Sequence, residues 1–532
     1  MPDAFVMGID IGSGACKVTI LQIEGRGISD TGNCKKIVSW TYSHEYKTIY
    51  PQPGWAEQDS GMWLENLSKL IKRAFAENSI DNSQIAAIAL SGVTHSPVLL
   101  DKELNVLGNV VHITDSRSIK QTESLRKFNE LFLKINFNPV SPMWTISMLK
   151  WIQENEPERY EKIFKIIFPK DYVRMMLTGE IATDEIDAQG TLFFDTLNKK
   201  WSRELADIIG LDEGILPDIA CPLEIAGKVT KEASYWSSLK VGTPVVTGTT
   251  DTLLEILAAG NIKKGDCSVK LATFGRICIL SEKPIPCEGV INYSYILPGL
   301  WYPGTGTKSC ASSYRWARDE FFKDYLLMER NGEAFISPSH IKEKQKILKT
   351  AFEKMDLDAS QIALGSNGLI FHPYLLGEGS PYNDSLLKGD FLGLTLHHKR
   401  AHLARAVLEG TSFSLRDSIE FLAEKGIKPE GDLKFIGGGS KSKLWTLILA
   451  DVLGHNGLIP LNTDASYGAA MLSAVAIQAY PSIEEAVKKS MQFKEKIMYN
   501  ASENKKYSAI YRLYKKAKEV LTELNHKLSG LF

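Results

Sequence analysis

Two aspartates at the ends of apolar runs are the residues best suited to chemistry. Asp251 follows Val245-Val246-Thr247-Gly248-Thr249-Thr250, a β-branched run that reads as a buried strand ending in a Gly-Thr-Thr turn. Ligands of open α/β sheets sit beyond the carboxyl ends of the strands, so this carboxylate could take the proton of a substrate hydroxyl. Capping the helix expected over residues 252–259 is its other reading. Asp10 lies in the apolar run 5–11, which meets the turn Gly12-Ser13-Gly14 and returns as a second strand carrying Lys17. The glycines of such a hairpin let backbone N–H groups and the Ser13 hydroxyl approach an anion, which makes Gly12, Ser13 and Lys17 candidate nucleotide-binding residues. Asp10 would then hold a metal ion, through water, beside that anion.

Other polar groups cluster at predicted strand ends. His95 follows the apolar strand 85–90, and Asp115 and Arg117 follow the run 110–113. They could grip a polyhydroxylated ligand, or be a satisfied histidine and a surface ion pair. Glu57 lies in a loop before the helix expected over 62–76. Thr273 ends a strand in a hydroxyl-bearing turn. A third strand, 433–436, enters Gly437-Gly438-Gly439-Ser440-Lys441-Ser442, and the helix N-terminus that follows suits an anion or a nucleotide. The stretch 302–309 is not a P-loop, because Thr307 stands where glycine must precede the lysine.

These elements alternate strand and helix along 532 residues, too long a chain for one core. Two domains are expected, 1–247 and 248–532. Segments 147–154 and 157–167 have helical periods, 183–191 is polar and turn-rich, 323–363 is charged and helical, and 505–527 reads as a solvated amphipathic helix. A formal charge of −1 gives no electrostatic case for nucleic acid or a membrane surface. The N-terminus lacks a basic leader and no apolar run is long enough to span a bilayer. Seven scattered cysteines (16, 34, 221, 267, 278, 287, 310) without a C-x-x-C pair fit free thiols in a reducing cytoplasm. His397, His398 and His402 lack companions at metal-ligand spacing.

Longer motifs carry a resemblance. Gly389-Asp390-Phe391-Leu392-Gly393-Leu394 is followed, after seven residues, by His402-Leu403-Ala404-Arg405-Ala406-Val407-Leu408-Glu409. With Gly8-Ile9-Asp10-Ile11-Gly12-Ser13-Gly14, Pro169-Lys170-Asp171-Tyr172, Thr178-Gly179-Glu180, Ala182-Thr183-Asp184 and the stretch 374–382, the chain resembles the FGGY carbohydrate kinases along nearly its whole length. That family is related to the actin and heat-shock-chaperone ATPases. The resemblance implies two ribonuclease-H-like α/β domains, ATP and Mg2+ as cofactors, and a sugar or polyol held in a cleft between the domains. It implies Asp251 as general base and Asp10 at the metal and phosphates, the two facing each other across that cleft. Ser13 sits where the family usually has threonine, and Thr273 matches the second phosphate turn. Gly438, Gly439 and Ser442 match the adenine-nucleotide loop. His95 and Asp115 match sugar-contacting positions, Glu57 more loosely.

Departures gather on the sugar side. Val93 and Thr94 replace Gln and Met, Ile113 replaces a Trp, and Met148 stands three residues before Trp151 in place of Lys. Phe274 alters the second phosphate turn and Ala311 replaces a nucleotide-loop Gly. The expected activity is ATP-dependent phosphorylation of a small open-chain sugar, xylulokinase-like, with gluconate or another polyol or ketose as the alternative inside the family. A non-catalytic, nucleotide-dependent sugar-binding regulator is the reading from another class, motivated by Met148 and Phe274. Relatives often dimerise, though no interface is legible in these residues.

Overall fold

The computed structural model describes residues 4–23, 38–332, 335–336, 347–348 and 350–531. Cys34 and residues 333–334, 337–346 and 349 of the expected charged helical stretch lie outside them. The chain forms two compact units. One takes in Met1–Ile262, Glu282–Trp301 and Asn462–Met491, and the other Lys263–Ser281, Tyr302–Leu461 and Gln492–Phe532. The division expected at 247/248 falls inside a strand, Pro244–Thr250, whose buried residues belong wholly to the first unit.

The first unit is built on a six-stranded mixed sheet. Its strands are β1 (Ala4–Ile11), β2 (Ala15–Ile23), β3 (Ser39–Glu45), β4 (Ile85–Gly92), β5 (Ile225–Lys228) and β6 (Pro244–Thr250), in spatial order β5-β6-β4-β1-β2-β3. β1 pairs antiparallel with β2, placing Asp10 opposite Lys17, and parallel with β4, placing Asp10 beside Ser91. β6 runs parallel to β4 on its other side, with Thr250 beside Gly92. β1 and β4 are apolar and buried nearly throughout, as strands covered on both faces must be. The small-residue helix Ala465–Ala476 lies directly on β1: a Cβ at Gly8 would come within 1.9 Å of the Ser466 carbonyl.

Three local expectations are corrected. The Gly-Thr-Thr segment is not a turn but the end of β6, with a bulge between Val246 and Thr249. Gly248 makes that bulge at φ 74°, where a Cβ would strike the Leu90 carbonyl at 1.9 Å. Residues 157–167 hold only the short helix Pro157–Tyr160 and then the strand Lys165–Ile167, because Ile166 and Ile167 are buried in a ladder with Val98 and Leu99. The polar stretch 183–191, expected to be turn-rich, is mostly buried strand and short helix, with Asp184 and Asp187 met by an internal ion network. The C-terminal helix, Ala501–Ser529, is amphipathic as expected, with Tyr507, Tyr511 and Tyr514 buried on one side.

The second unit repeats the plan with β7 (Cys267–Leu271), β8 (Gly275–Ile279), β9 (Gly304–Thr305), β10 (Leu433–Ile436), β11 (Gly457–Pro460) and β12 (Phe493–Ile497), in order β9-β8-β7-β10-β11-β12. Its central pair, β7 and β10, is parallel. No described helix is long and apolar enough to cross a membrane.

Candidate active site

Asp10 and Asp251 stand at the same end of one sheet, in the first unit, rather than on two facing domains. Asp10 is the penultimate residue of β1, and Asp251 begins the helix Asp251–Ala258 directly after β6. Only β4 separates their strands, so their backbones are two strand spacings, about 10 Å, apart. Ser91, at the end of β4, donates its hydroxyl to Asp10 Oδ1 at 2.8 Å. Burial, and then the negative charge of Asp251, push the Asp10 carboxyl up to about 7; Lys17 and Ser91 work the other way, and Glu255 adds to the rise. Glu255 lies one helical turn beyond Asp251, a spacing at which side chains share a face. Asp251 Oδ1 accepts the Thr252 N–H at 2.6 Å, so one oxygen is spent on the helix start.

The Gly12-Ser13-Gly14 turn leaves this end of the sheet. Ser13 and Gly14 are exposed, while the hairpin's base is fixed by Gly12 N–H to the Ala15 carbonyl at 3.0 Å and by Gln58 and His112 donating to the Ser13 carbonyl at 2.7 and 3.0 Å. Lys17 is not held out toward an incoming anion: it pairs with Asp464, at the start of the helix that covers β1.

The expected sugar contacts form two groups, joined by the helix Thr145–Asn155. His95 is buried at φ 72°, a backbone region costly for any residue but glycine. Its Nδ1 lies 2.9 Å from the Gly190 carbonyl, which can only accept, so Nδ1 carries the proton and Nε2 faces the Tyr293 hydroxyl at 3.3 Å. Trp144, just before the helix, packs edge-on against the imidazole at 4.6 Å. Two turns on, Trp151 and the loop residue Trp55 flank the Arg117 guanidinium at 5.0 and 3.8 Å. Asp115 grips Arg117 Nε and Nη2 and also accepts the Ala56 N–H at 2.6 Å. Glu57 takes Arg117 Nη2 at 2.7 Å. Burial alone would raise the Glu57 carboxyl, but bonds from Asn109 and Arg117 hold it below its ordinary value. Asp115 and Glu57 are thus committed to Arg117. The group's one buried donor without a hydrogen-bond partner is Arg117 Nη1. Met148 lies between the two tryptophans on this helix and is buried, a setting that suits a thioether better than the lysine it replaces.

A buried ion network supports β6 and the His95 group. Lys170 meets Asp184 at 2.9 Å and Asp187 at 3.3 Å, and Arg174 meets Asp171 at 2.9 Å. Asp184 accepts the Thr249 hydroxyl at 2.8 Å, and Arg174 donates to the Thr247 carbonyl at 3.1 Å, so the network clamps β6 just before Asp251. The short helix that carries Asp187 ends at Gly190, the carbonyl on which His95 rests. Burial lifts the Asp187 carboxyl well above the ordinary range; Lys170 opposes the rise, and the charges of Asp184 and Asp171 add to it. Removing Lys170 strands the other carboxylates in the interior. Lys170→Met is therefore expected to cost about 3–5 kcal/mol in urea unfolding.

In the second unit, Thr273 lies in the exposed β7–β8 turn, where its carbonyl accepts the Cys310 N–H at 3.1 Å and the Ser312 hydroxyl at 2.8 Å. Phe274 beside it is exposed. Gly438 and Gly439 form a tight turn after β10, at the same sheet end, and Ser442 caps the helix Lys443–Leu453 by accepting the Trp445 N–H at 3.0 Å. Asp356, absent from the sequence expectations, sits by that cap. Burial raises its carboxyl to about 6 against hydrogen bonds from Ser442 and Tyr314.

Ser91, Tyr293, Asp356 and Asp464 were missed because their partners are remote in sequence. Glu255 had a local signal, its four-residue spacing from Asp251.

Residues 5–258 match the N-terminal domain, and 275–477 the C-terminal domain, of the FGGY family of carbohydrate kinases. A xylulose kinase of Lactococcus lactis is 29% identical over 530 residues, covering 98% of each chain. The crystal structure of xylulose kinase from Rhodospirillum rubrum superposes with a TM-score of 0.83 at 25% identity, over 98% of this chain and 100% of that one. A gluconate kinase from Lactobacillus acidophilus shares the fold, with a TM-score of 0.84 at 24% identity over 99% of this chain and 100% of that one. This chain belongs to the FGGY family and is a carbohydrate kinase with the family's two-domain, actin-like fold.

Proposed function

We propose that this kinase transfers the γ-phosphoryl group of ATP to a hydroxyl of a small open-chain ketose of the xylulose type, with Asp251 as the general base. One observation carries the reading: two carboxyl groups at one sheet end, of which Asp10 is pushed up to about 7 partly by the charge of the other. Such pairs are what a site assembles when one group must meet a cation and the other a proton. Asp251 takes the acceptor hydroxyl's proton as that oxygen forms its bond to phosphorus and ADP departs. The exposed amides of the Gly12-Ser13-Gly14 turn and the Ser13 hydroxyl suit phosphate oxygens, and in the second unit Gly438, Gly439 and Ser442 suit a nucleotide.

The residues fit magnesium in the manner usual for kinases. Among the described residues no group of three or more His, Cys, Asp and Glu side chains could cage a metal ion. Mg2+ typically binds one or two carboxylates and takes its other ligands from water and phosphate, so Asp10 suffices, directly or through water. Bound there, the ion would neutralise charge building on the phosphates.

For the acceptor, the full-length xylulose kinase relatives favour a ketose. The guanidinium of Arg117 is already matched by Asp115 and Glu57, which leaves Nη1 better suited to a neutral hydroxyl than to a carboxylate. His95 and Tyr293 offer a second polar pair. A coupled ADP-release assay over pentuloses, polyols, erythrulose-type sugars and gluconate tests the assignment. Xylulose or a close ketose should give the highest kcat/KM, and a preference for gluconate would contradict it.

A further inference from the structure

The second unit carries a basic groove that phosphoryl transfer does not use. It is a cavity of about 370 Å³ between the helices Arg400–Glu424 and Ala501–Ser529. Arg416 is fixed in its wall. Nε donates to Glu420 at 2.9 Å, and Nη1 donates to the Val452 carbonyl at 3.2 Å and to the Ser508 hydroxyl at 3.0 Å. The guanidinium lies over the Tyr511 ring at 4.3 Å, which leaves Nη2 without a hydrogen-bond partner among the described residues. Arg512, one helical turn beyond Ser508, is exposed and pairs with nothing among the described residues.

The carboxylates of the groove are already matched. Glu420 accepts from Arg416, takes the Tyr511 hydroxyl at 2.9 Å and meets Lys515 at 3.6 Å. Glu519 meets Lys516 at 3.2 Å. Behind Tyr511, buried Asp417 accepts the Tyr511 and Tyr382 hydroxyls and is offset by Lys518, which lies over the Tyr382 ring at 3.6 Å. The lining therefore sets four cations against two carboxylates, a surplus of two positive charges.

We propose that this groove binds a phosphate dianion, free or as the monoester of a small metabolite. Two guanidinium groups with unspent N–H donors suit the oxygens of a tetrahedral anion, and a double negative charge cancels the surplus. The Ser508 hydroxyl accepts from Arg416 and keeps its own proton to donate. The volume is at the small end of the range for ligand cavities, which fits a phosphorylated metabolite of a few carbons. The site is separate from the nucleotide turn. Val452 lies at the far end of the helix Lys443–Leu453 from Ser442, about 15 Å along its axis.

Isothermal titration calorimetry on the full-length protein, saturated with ADP and Mg2+, tests this with inorganic phosphate and, separately, ribose 5-phosphate. Both should bind at millimolar concentration. A tighter ester identifies a phosphorylated metabolite as the ligand, and equal affinities identify free phosphate. Arg512→Glu should weaken both about tenfold, the loss of a charge-assisted hydrogen bond, with melting temperature and sugar-kinase turnover unchanged. Glu519→Gln, which removes a negative charge from the rim, should tighten both about threefold. Three results would overturn the proposal: no binding at millimolar phosphate, a titration that chloride reproduces at equal ionic strength, or binding that Arg512→Glu leaves in place.

Discussion

Asp251→Asn is expected to lower kcat by about 10³–10⁴-fold, the range contributed by a positioned general base, while KM for sugar and ATP changes little. The amide keeps the volume and still accepts the Thr252 N–H that the carboxylate accepts now, so the helix start survives and thermal stability stays near wild type. What is lost is the ability to receive the hydroxyl proton. Single-turnover phosphoryl transfer at saturating substrate measures this directly. Turnover within tenfold of wild type would remove Asp251 from the role of base and leave it as a helix-start residue.

Asp10→Asn separates activity from stability, and the two should move in opposite directions. In the ligand-free protein the Asp10 carboxyl is held near 7 against an ordinary value of 3.8, by burial and by Asp251. The folded state therefore binds a proton that the unfolded state has released by pH 5. The stability this gives is fully present below about pH 4 and is lost as pH rises through 7. By pH 8 the loss amounts to about 4 kcal/mol at 1.36 kcal/mol per pKa unit. An asparagine cannot ionise, so ligand-free Asp10→Asn should melt above wild type at pH 8 and with it at pH 4, while turnover collapses because the magnesium-phosphate contact is gone. Melting curves across pH 4–8 check the sign. A variant less stable than wild type at pH 8 would mean that Asp10 is ionised and satisfied in the free protein.

Much of the site was readable because its chemistry sits where strand patterns end. Asp10 and Asp251 follow apolar, β-branched runs, and the hairpin after Asp10 announces itself through Gly12 and Gly14. The family's motifs supplied the two-domain architecture and the reaction class. Pairing across the sheet was not readable. Nothing local tells that β4 lies between β1 and β6, and hence that the two aspartates share one sheet end and not opposing domains. The same limit hid Tyr293, brought to His95 by a segment that returns to the first unit, and Asp464, which takes Lys17. Buried charge misled the local reading most: Asp184 and Asp187 look like turn residues until Lys170 is seen among them. Nor was it readable that Asp115 and Glu57 both pair with Arg117, between Trp55 and Trp151.

The central claim is that the carboxyl groups of Asp10 and Asp251 form one electrostatic unit. Carbon-13 NMR of aspartate side chains, recorded across pH 4–9 on ligand-free wild type and on Asp251→Asn, tests it most directly. The expected result is an Asp10 resonance that titrates near 7 in wild type and at a distinctly lower pH once the charge of Asp251 is removed. A midpoint near 4 in wild type, or one that the substitution leaves in place, would contradict it.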